Sequence, residues 1–245
     1  MNPQARNSQL LLETQGLCRS FGGVKAVDDV DFSLPEGEIR AIIGPNGAGK
    51  TTFVSLFSGR ISASAGTVFF AGENITLLPD YQRVRKGIAY TFQITSVYTN
   101  LSVEENVIIA VQNRPGGADH RQNAAVVRAV LQQAGIAELA ATPAGELAYG
   151  HQRLLEVAMG LALNPRLLIL DEPTQGLSDP EIETFCTLVR QINQTTTILL
   201  IEHNMPVVMR LADSISVFDQ GRILAEGTPE DIRNNDAVQA AYLGA

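Results

Sequence analysis

Gly44-Pro45-Asn46-Gly47-Ala48-Gly49-Lys50-Thr51 is the stretch whose reading decides the fold. It fills the pattern G-x-x-x-x-G-K-[ST], follows the β-rich run Glu38–Ile43 and opens the helical stretch Lys50–Ser58. Glycines at these spacings free the backbone to turn its N–H groups onto an anion, and the start of the next helix adds partial positive charge. Lys50 supplies a point charge for β/γ-phosphates, and the Thr51 hydroxyl is a Mg²⁺ ligand, with Thr52 beside it. The strand before and the helix after are the context that separates this pattern from a chance glycine-rich turn.

Further along, Leu167-Leu-Ile-Leu-Asp171-Glu172 reads as an apolar strand ending in two carboxylates. Asp171 at the strand tip suits a Mg²⁺ ion, and Glu172 beside it suits a base for an attacking water. Neighbouring carboxylates repel, so the one without the metal is expected to have a raised pKa. The strand Thr197–Ile201 lies beyond the helical pattern Pro180–Ile192. This β-α-β alternation predicts a parallel α/β sheet covered on both faces, the core of a P-loop NTPase.

Working outward, residues 1–9 read as a loose tail and 10–245 as one domain. Short strands are expected at Leu10–Glu13 and Val27–Leu34, and a further pair bracketing Ala65-Gly66 with Thr67–Ala71, giving an antiparallel layer beside the main sheet. Ser102-Val-Glu-Glu105 is a capping-box pattern opening a helix through Val111. After the Pro/Gly-rich break Arg114–Asp119, helices are expected over Gln122–Ala134 and Leu147–Leu163, so about residues 94–163 form a helical insertion. Ser214–Phe218 and Arg222–Ala225 form a hairpin around Gln220-Gly221, and Thr228-Pro-Glu-Asp231 caps a last helix.

Composition excludes several classes. With 45% hydrophobic and 18% charged residues the 245-residue chain is globular, and it lacks the roughly 18–20-residue apolar run needed to span a bilayer. Met1–Leu10 carries one Arg and no long apolar stretch, so neither a secretory signal nor a transit peptide is expected there. Two distant cysteines, Cys18 and Cys186, make no disulfide framework or zinc knuckle. The 18 basic against 26 acidic residues, a net charge of −8, argue against nucleic acid as a partner and require any polyanion to be held by local groups. The three lysines follow Val24, Gly49 and Arg85, so the Asn-Lys-x-Asp guanine motif of regulatory GTPases does not occur.

Other segments bring the sequence to a family. Gln93 in Tyr90-Thr-Phe-Gln, Leu147-Ala-Tyr-Gly-His-Gln152 before a helix, Gly176-Leu-Ser-Asp179, His203 in Ile201-Glu-His and Phe21 in Ser-Phe-Gly-Gly stand in order around the two phosphate motifs. Over about Leu10 to Leu243 the chain resembles the ATP-binding cassette of ABC transporters. The resemblance implies that Phe21 stacks adenine and that Gln93 is the Q-loop residue attending Mg²⁺. It implies too that His203 is the switch histidine and Asp179 belongs to the D-loop. Residue by residue the alternatives are a core aromatic for Phe21, a helix cap for Asp179 with Ser178-x-x-Glu181 as a capping box, a loop amide for Gln93 and a solvated histidine for His203. His120 reads as a surface residue.

The resemblance further implies a head-to-tail pair of cassettes, in which ATP on the Lys50 loop of one copy is covered by the helix beginning near Gly150 of the other. Hydrolysis then removes the link between copies. The common signature Leu-Ser-Gly-Gly-Gln is altered here, with Ala148 at the serine, Tyr149 at the first glycine and His151 at the glutamine. Loss of the serine hydroxyl removes a hydrogen bond to the γ-phosphate, at a cost of roughly 0.5–1.5 kcal/mol. The Gly150 backbone and helix dipole remain, and Glu172 and His203 are both present, so a weakened clamp is expected rather than an inactive site.

Among cassettes, Ala-Tyr-Gly-x-Gln, Tyr-Thr-Phe-Gln and the tail from Ala225-Glu-Gly-Thr-Pro to Ala241-Tyr-Leu-Gly most resemble importers of branched-chain and hydrophobic amino acids. Similar branches serve urea or amide uptake and lipopolysaccharide export. The implied partners are a second copy or a homologous cassette, membrane permease subunits and a periplasmic or extracellular solute-binding protein, with the chain on the cytoplasmic face of the membrane. Ile94–Leu101 reads either as a docking groove for the permease or as an ordinary surface loop. Two other classes stand beside this one: a soluble ABC protein acting on ribosomes or DNA, and an ATP-gated dimer that does not hydrolyse. A single short cassette of net charge −8 argues against the former.

Overall fold

A computed structural model describes residues 9–91, 96–112, 114 and 120–243. Its first layer begins with β1 (Leu10–Phe21) and β2 (Val24–Pro35), a long antiparallel hairpin. After β3 (Ile39–Ile43) and α1 (Lys50–Ser58), the strands β4 (Ala65–Phe70) and β5 (Glu73–Asn74) complete an antiparallel sheet of order β2-β1-β4-β5. Both strands of the hairpin outrun the short stretches expected. Register shifts near Gly16 and Asp29, each at φ 57, interrupt the alternation that marks a strand in sequence.

Ala65-Gly66 is a correction: it lies inside β4 rather than between two strands. Ala65 pairs with Cys18, and Gly66 at φ 85 sits opposite the irregularity between Gln15 and Cys18. A strand glycine marks such a bulge as readily as a turn. The turn itself falls at Ala71-Gly72, with φ 50 and 79.

The remaining elements are α2 (Asp80–Arg85), β6 (Ile88–Thr91), α3 (Val103–Gln112), α4 (His120–Gln133), α5 (Tyr149–Ala162), β7 (Leu167–Asp171), α6 (Asp179–Ile192) and β8 (Thr197–Ile201). They are followed by α7 (Met205–Leu211), β9 (Ser214–Asp219), β10 (Arg222–Gly227), α8 (Pro229–Arg233) and α9 (Asp236–Leu243). The main sheet has the order β10-β9-β3-β8-β7-β6 and is parallel except for the β9–β10 hairpin. The fold is the mixed α/β arrangement expected from the sequence. Both cysteines are free thiols.

Strands β7 and β8 carry unbroken apolar runs, Leu167–Leu170 and Ile198–Ile201, because both their faces are covered, whereas β3 buries one charge, Arg40, which pairs with Glu38 and Glu226. In β7, Leu167 and Ile169 join the core shared with the antiparallel layer and α1, whereas Leu168 and Leu170 pack toward α6. The first of these cores centres on Phe53 of α1, whose ring lies 5.4 Å from Phe32, 5.2 Å from Phe57 and 4.9 Å from Phe218. Arg83, buried on α2, donates to the carbonyls of Leu56 and Phe57 at 2.9 Å and so ties down the carboxyl end of α1. Helices α3, α4 and α5 pack on one another around Val107, Val127, Leu131 and Leu155, in a cluster of their own.

Candidate active site

β3 ends at Ile43, and the loop that follows is shaped by contacts from distant parts of the chain. Gly49, the residue before α1, stands at φ 101, and a Cβ there would lie 2.2 Å from the Ala26 carbonyl, so no other residue fits. The Ala48 carbonyl accepts from Gly221 N–H at 2.9 Å, and Gly221 in turn accepts from Asp28 N–H at 2.9 Å. The β9–β10 turn thus braces the loop. No side chain caps α1 at Gly49, which leaves its first N–H groups for an external anion.

Lys50 is buried, and its ammonium donates to the carbonyls of Gly44 at 2.7 Å and Pro45 at 3.0 Å. Burial lowers its pKa, against the opposing pull of the Glu172 and Asp171 carboxylates. Asn46, Gly47, Ala48, Gly49, Lys50, Thr51 and Thr52 line a cavity of about 290 Å³, together with Ala26 and Glu172.

Asp171 is buried at the end of β7 and accepts a hydrogen bond from the Tyr90 hydroxyl on Oδ2. Burial raises its pKa; the Tyr90 bond opposes that rise, and Glu172 repulsion adds to it. The raised carboxylate expected from the Asp-Glu pair therefore falls on Asp171, with burial as its main cause. Glu172 stands at φ 46, a conformation rare for a residue with a side chain and one that recurs at functional sites. His203 Nδ1 lies 3.6 Å from Glu172 Oε1. Thr51 and Asp171 are hard oxygen donors of the kind Mg²⁺ takes alongside substrate phosphates. Among the described residues no cluster of three or more His, Cys, Asp or Glu is arranged for another metal.

Gly150 and His151 line a different cavity, of about 200 Å³, with Leu177 and Glu181. Ala148 is the N-cap of α5 and makes no side-chain cap bond; Tyr149 is half exposed and stacks toward Arg153, whose guanidinium carbon is 5.6 Å from the ring. The helix-cap reading of Asp179 is corrected: Ser178 is the N-cap of α6, its N–H donating to Glu181 Oε2 at 2.8 Å, and Asp179 is the exposed first residue of the helix. The Ser178-x-x-Glu181 capping box read in the sequence is the one that forms, and its spacing puts the cap one position before Asp179. Phe21 is 48% exposed, which removes the core-aromatic reading, and the Arg19 guanidinium carbon lies 4.6 Å from its ring centroid. Gln93 lies outside the described residues, as do Ile94 and Thr95 of the expected docking segment.

One residue of the site escaped the sequence reading. Glu202 is buried, and its Oε1 accepts from Thr174 N–H at 3.0 Å and from the Thr174 hydroxyl. Its Oε2 accepts from the N–H groups of His203 at 3.0 Å and Asn204 at 3.1 Å. A single carboxylate thus joins the loop carrying Glu172 to the loop carrying His203. The signal available in sequence was a charged residue abutting the apolar run Ile198–Ile201.

The sequence pattern of the ABC transporter family spans residues 27–175. The chain belongs to that family. A second pattern, that of the branched-chain amino acid ATP-binding cassette transporter, spans residues 222–245 of this cassette. The cassette is 40% identical to LivG of Salmonella typhimurium, a high-affinity branched-chain amino acid transport ATP-binding protein, over 97% of this chain and 99% of the relative. It is 37% identical to BraF of Pseudomonas aeruginosa, which bears the same description, over 97% and 99% of the two chains. In structure it matches the ADP conformation of an ABC transporter's ATP-binding cassette with a TM-score of 0.86 at 28% identity, covering 96% of this chain and 99% of that one. A nucleotide-free cassette matches with a TM-score of 0.85 at 28% identity, covering 96% and 100%. The protein is accordingly an ABC-type ATPase, an ATP-binding subunit of a multi-component transporter. Among its described residues no helix is long and apolar enough to cross a membrane.

Proposed function

We propose that this cassette hydrolyses MgATP to drive import of branched-chain amino acids through separate permease subunits, which hold it at the cytoplasmic face of the membrane. A solute-binding protein outside delivers the amino acid. The likeness to LivG and BraF and the pattern at residues 222–245 support the solute class. The observation that carries the chemistry is the convergence of Lys50, Asp171, Glu172 and His203 at the carboxyl ends of β3, β7 and β8, with His203 3.6 Å from Glu172.

In this reading Phe21 stacks on adenine through its exposed ring. The loop N–H groups from Gly44 to Thr52 surround the triphosphate. A lysine ammonium has three N–H donors; Gly44 and Pro45 take two, and the third meets a β/γ-phosphate oxygen. Thr51, Gln93 and Asp171 attend Mg²⁺, which when bound spreads the charge of the β- and γ-phosphates. Glu172 takes a proton from the attacking water as the new P–O bond forms, and the γ-phosphorus parts from the bridging oxygen, which leaves with ADP. His203 orients the γ-phosphate and that water. Ala148, Tyr149, Gly150, His151 and Asp179 serve the nucleotide of a second copy, placed head to tail.

The experiment is uptake of labelled leucine, isoleucine and valine in cells whose only copy of the cassette is wild type or Lys50→Ala. Loss of uptake with the variant is the expected result. Unchanged uptake overturns the reading, and, with labelled urea and short amides run in parallel, loss confined to those transfers the protein to that branch.

A further inference from the structure

Tyr90 lies on β6 just ahead of Gln93, and its register with Ile169 sets it beside β7 near the tip that carries Asp171. Its ring packs against the main core, and the Arg60 guanidinium carbon, just beyond α1, lies 4.9 Å from the ring centroid. Its hydroxyl donates to Asp171 Oδ2. The phenol is thus held at both ends, by Arg60 on its face and Asp171 at its tip. We propose that Tyr90 is a positioning residue for Asp171: its hydroxyl occupies Oδ2 and presents the other carboxylate oxygen to the hydration shell of Mg²⁺. The inference rests on the reading of Asp171 as a metal-attending residue.

The choice of a phenol has a physical reason. A buried carboxylate needs a donor, since leaving it without one costs free energy. A cation bonded directly to Asp171 would supply the donor but cancel the charge that attracts the metal. A neutral hydroxyl orients the carboxylate and leaves its charge in place, while the Arg60 guanidinium sits against the ring and reaches Asp171 only through its field. Partners of this kind fix the orientation of metal-attending carboxylates, and their loss typically weakens metal affinity about 10–100-fold.

The test uses the full chain with a non-hydrolysable ATP analogue and Mn²⁺ as the probe, free Mn²⁺ being read by electron paramagnetic resonance. Tyr90→Phe keeps the ring and removes the hydroxyl. It is expected to weaken nucleotide-dependent Mn²⁺ binding about 10–100-fold, with nucleotide affinity in excess chelator unchanged. Arg60→Met keeps the hydroxyl and loses the cation on the ring, for an expected weakening of roughly two- to fivefold. Wild-type Mn²⁺ affinity in Tyr90→Phe, or an equal loss of metal-free nucleotide affinity, overturns the inference. Should Tyr90→Phe not fold, unchanged Mn²⁺ affinity in Arg60→Met overturns it instead. A wild-type chain without nucleotide-dependent Mn²⁺ binding overturns the prior reading of Asp171, a different outcome from either of these.

Discussion

Thr174 gives both its N–H and its hydroxyl to one oxygen of Glu202, across a separation of 28 residues in sequence. The other Glu202 oxygen receives the backbone N–H groups of His203 and Asn204, so one carboxylate ties the loop after β7 to the loop after β8. Glu202→Gln puts an amide NH₂ against N–H donors on one side or the other. The expected cost is about 1–3 kcal/mol of stability, with a fall in kcat larger than any change in the KM for ATP. Denaturant titration and steady-state kinetics on the same preparation check both parts, and an unchanged kcat would separate Glu202 from His203.

Glu172→Gln removes the carboxylate proposed as the base while keeping the shape of the side chain. Turnover is expected to fall by about 10²–10⁴-fold, and ATP-dependent pairing of two copies, followed by light scattering, to persist. Turnover like that of the wild type would strip Glu172 of its role.

Phe53 ties α1 to both sheets through Phe32 and Phe218. Phe53→Ala opens a cavity at that junction and is expected to cost about 3–5 kcal/mol in urea unfolding. Because α1 begins at Lys50, nucleotide affinity should weaken in the same variant.

The capping box at Ser102 has a signature in pH. Glu105 accepts from Ser102 N–H at 2.7 Å, and this bond holds its pKa below the ordinary 4.5. A carboxyl whose folded pKa is depressed binds fewer protons folded than unfolded, so its stabilisation is present above pH 4.5 and fades as pH falls through the folded value. Glu105→Gln should therefore melt lower than the wild type at neutral pH, with the gap closing in acid. A gap that stays constant with pH would assign the effect to packing.

Much of this was legible in the sequence, for identifiable reasons. Helix Lys50–Ser58 and strand Thr197–Ile201 have the limits read from a contiguous motif and an unbroken apolar run. Helices α2 and α7 are too short to display a helical period, and α7 carries Pro206 in its first turn. That Lys50, Asp171 and Glu172 come together could be anticipated because each motif is continuous along the chain. Glu202 and Tyr90 could not, because their meaning lies in partners: Thr174 is 28 residues away from the first and Asp171 81 residues from the second.

The bracing of the Gly44–Lys50 loop by Gly221 has a consequence for biosynthesis. β3 is flanked by β8 and β9, and the loop after it leans on the turn that joins β9 to β10. A ribosome emits the loop well before Gly221, so the contact that braces the loop forms only once Gly221 has cleared the exit tunnel.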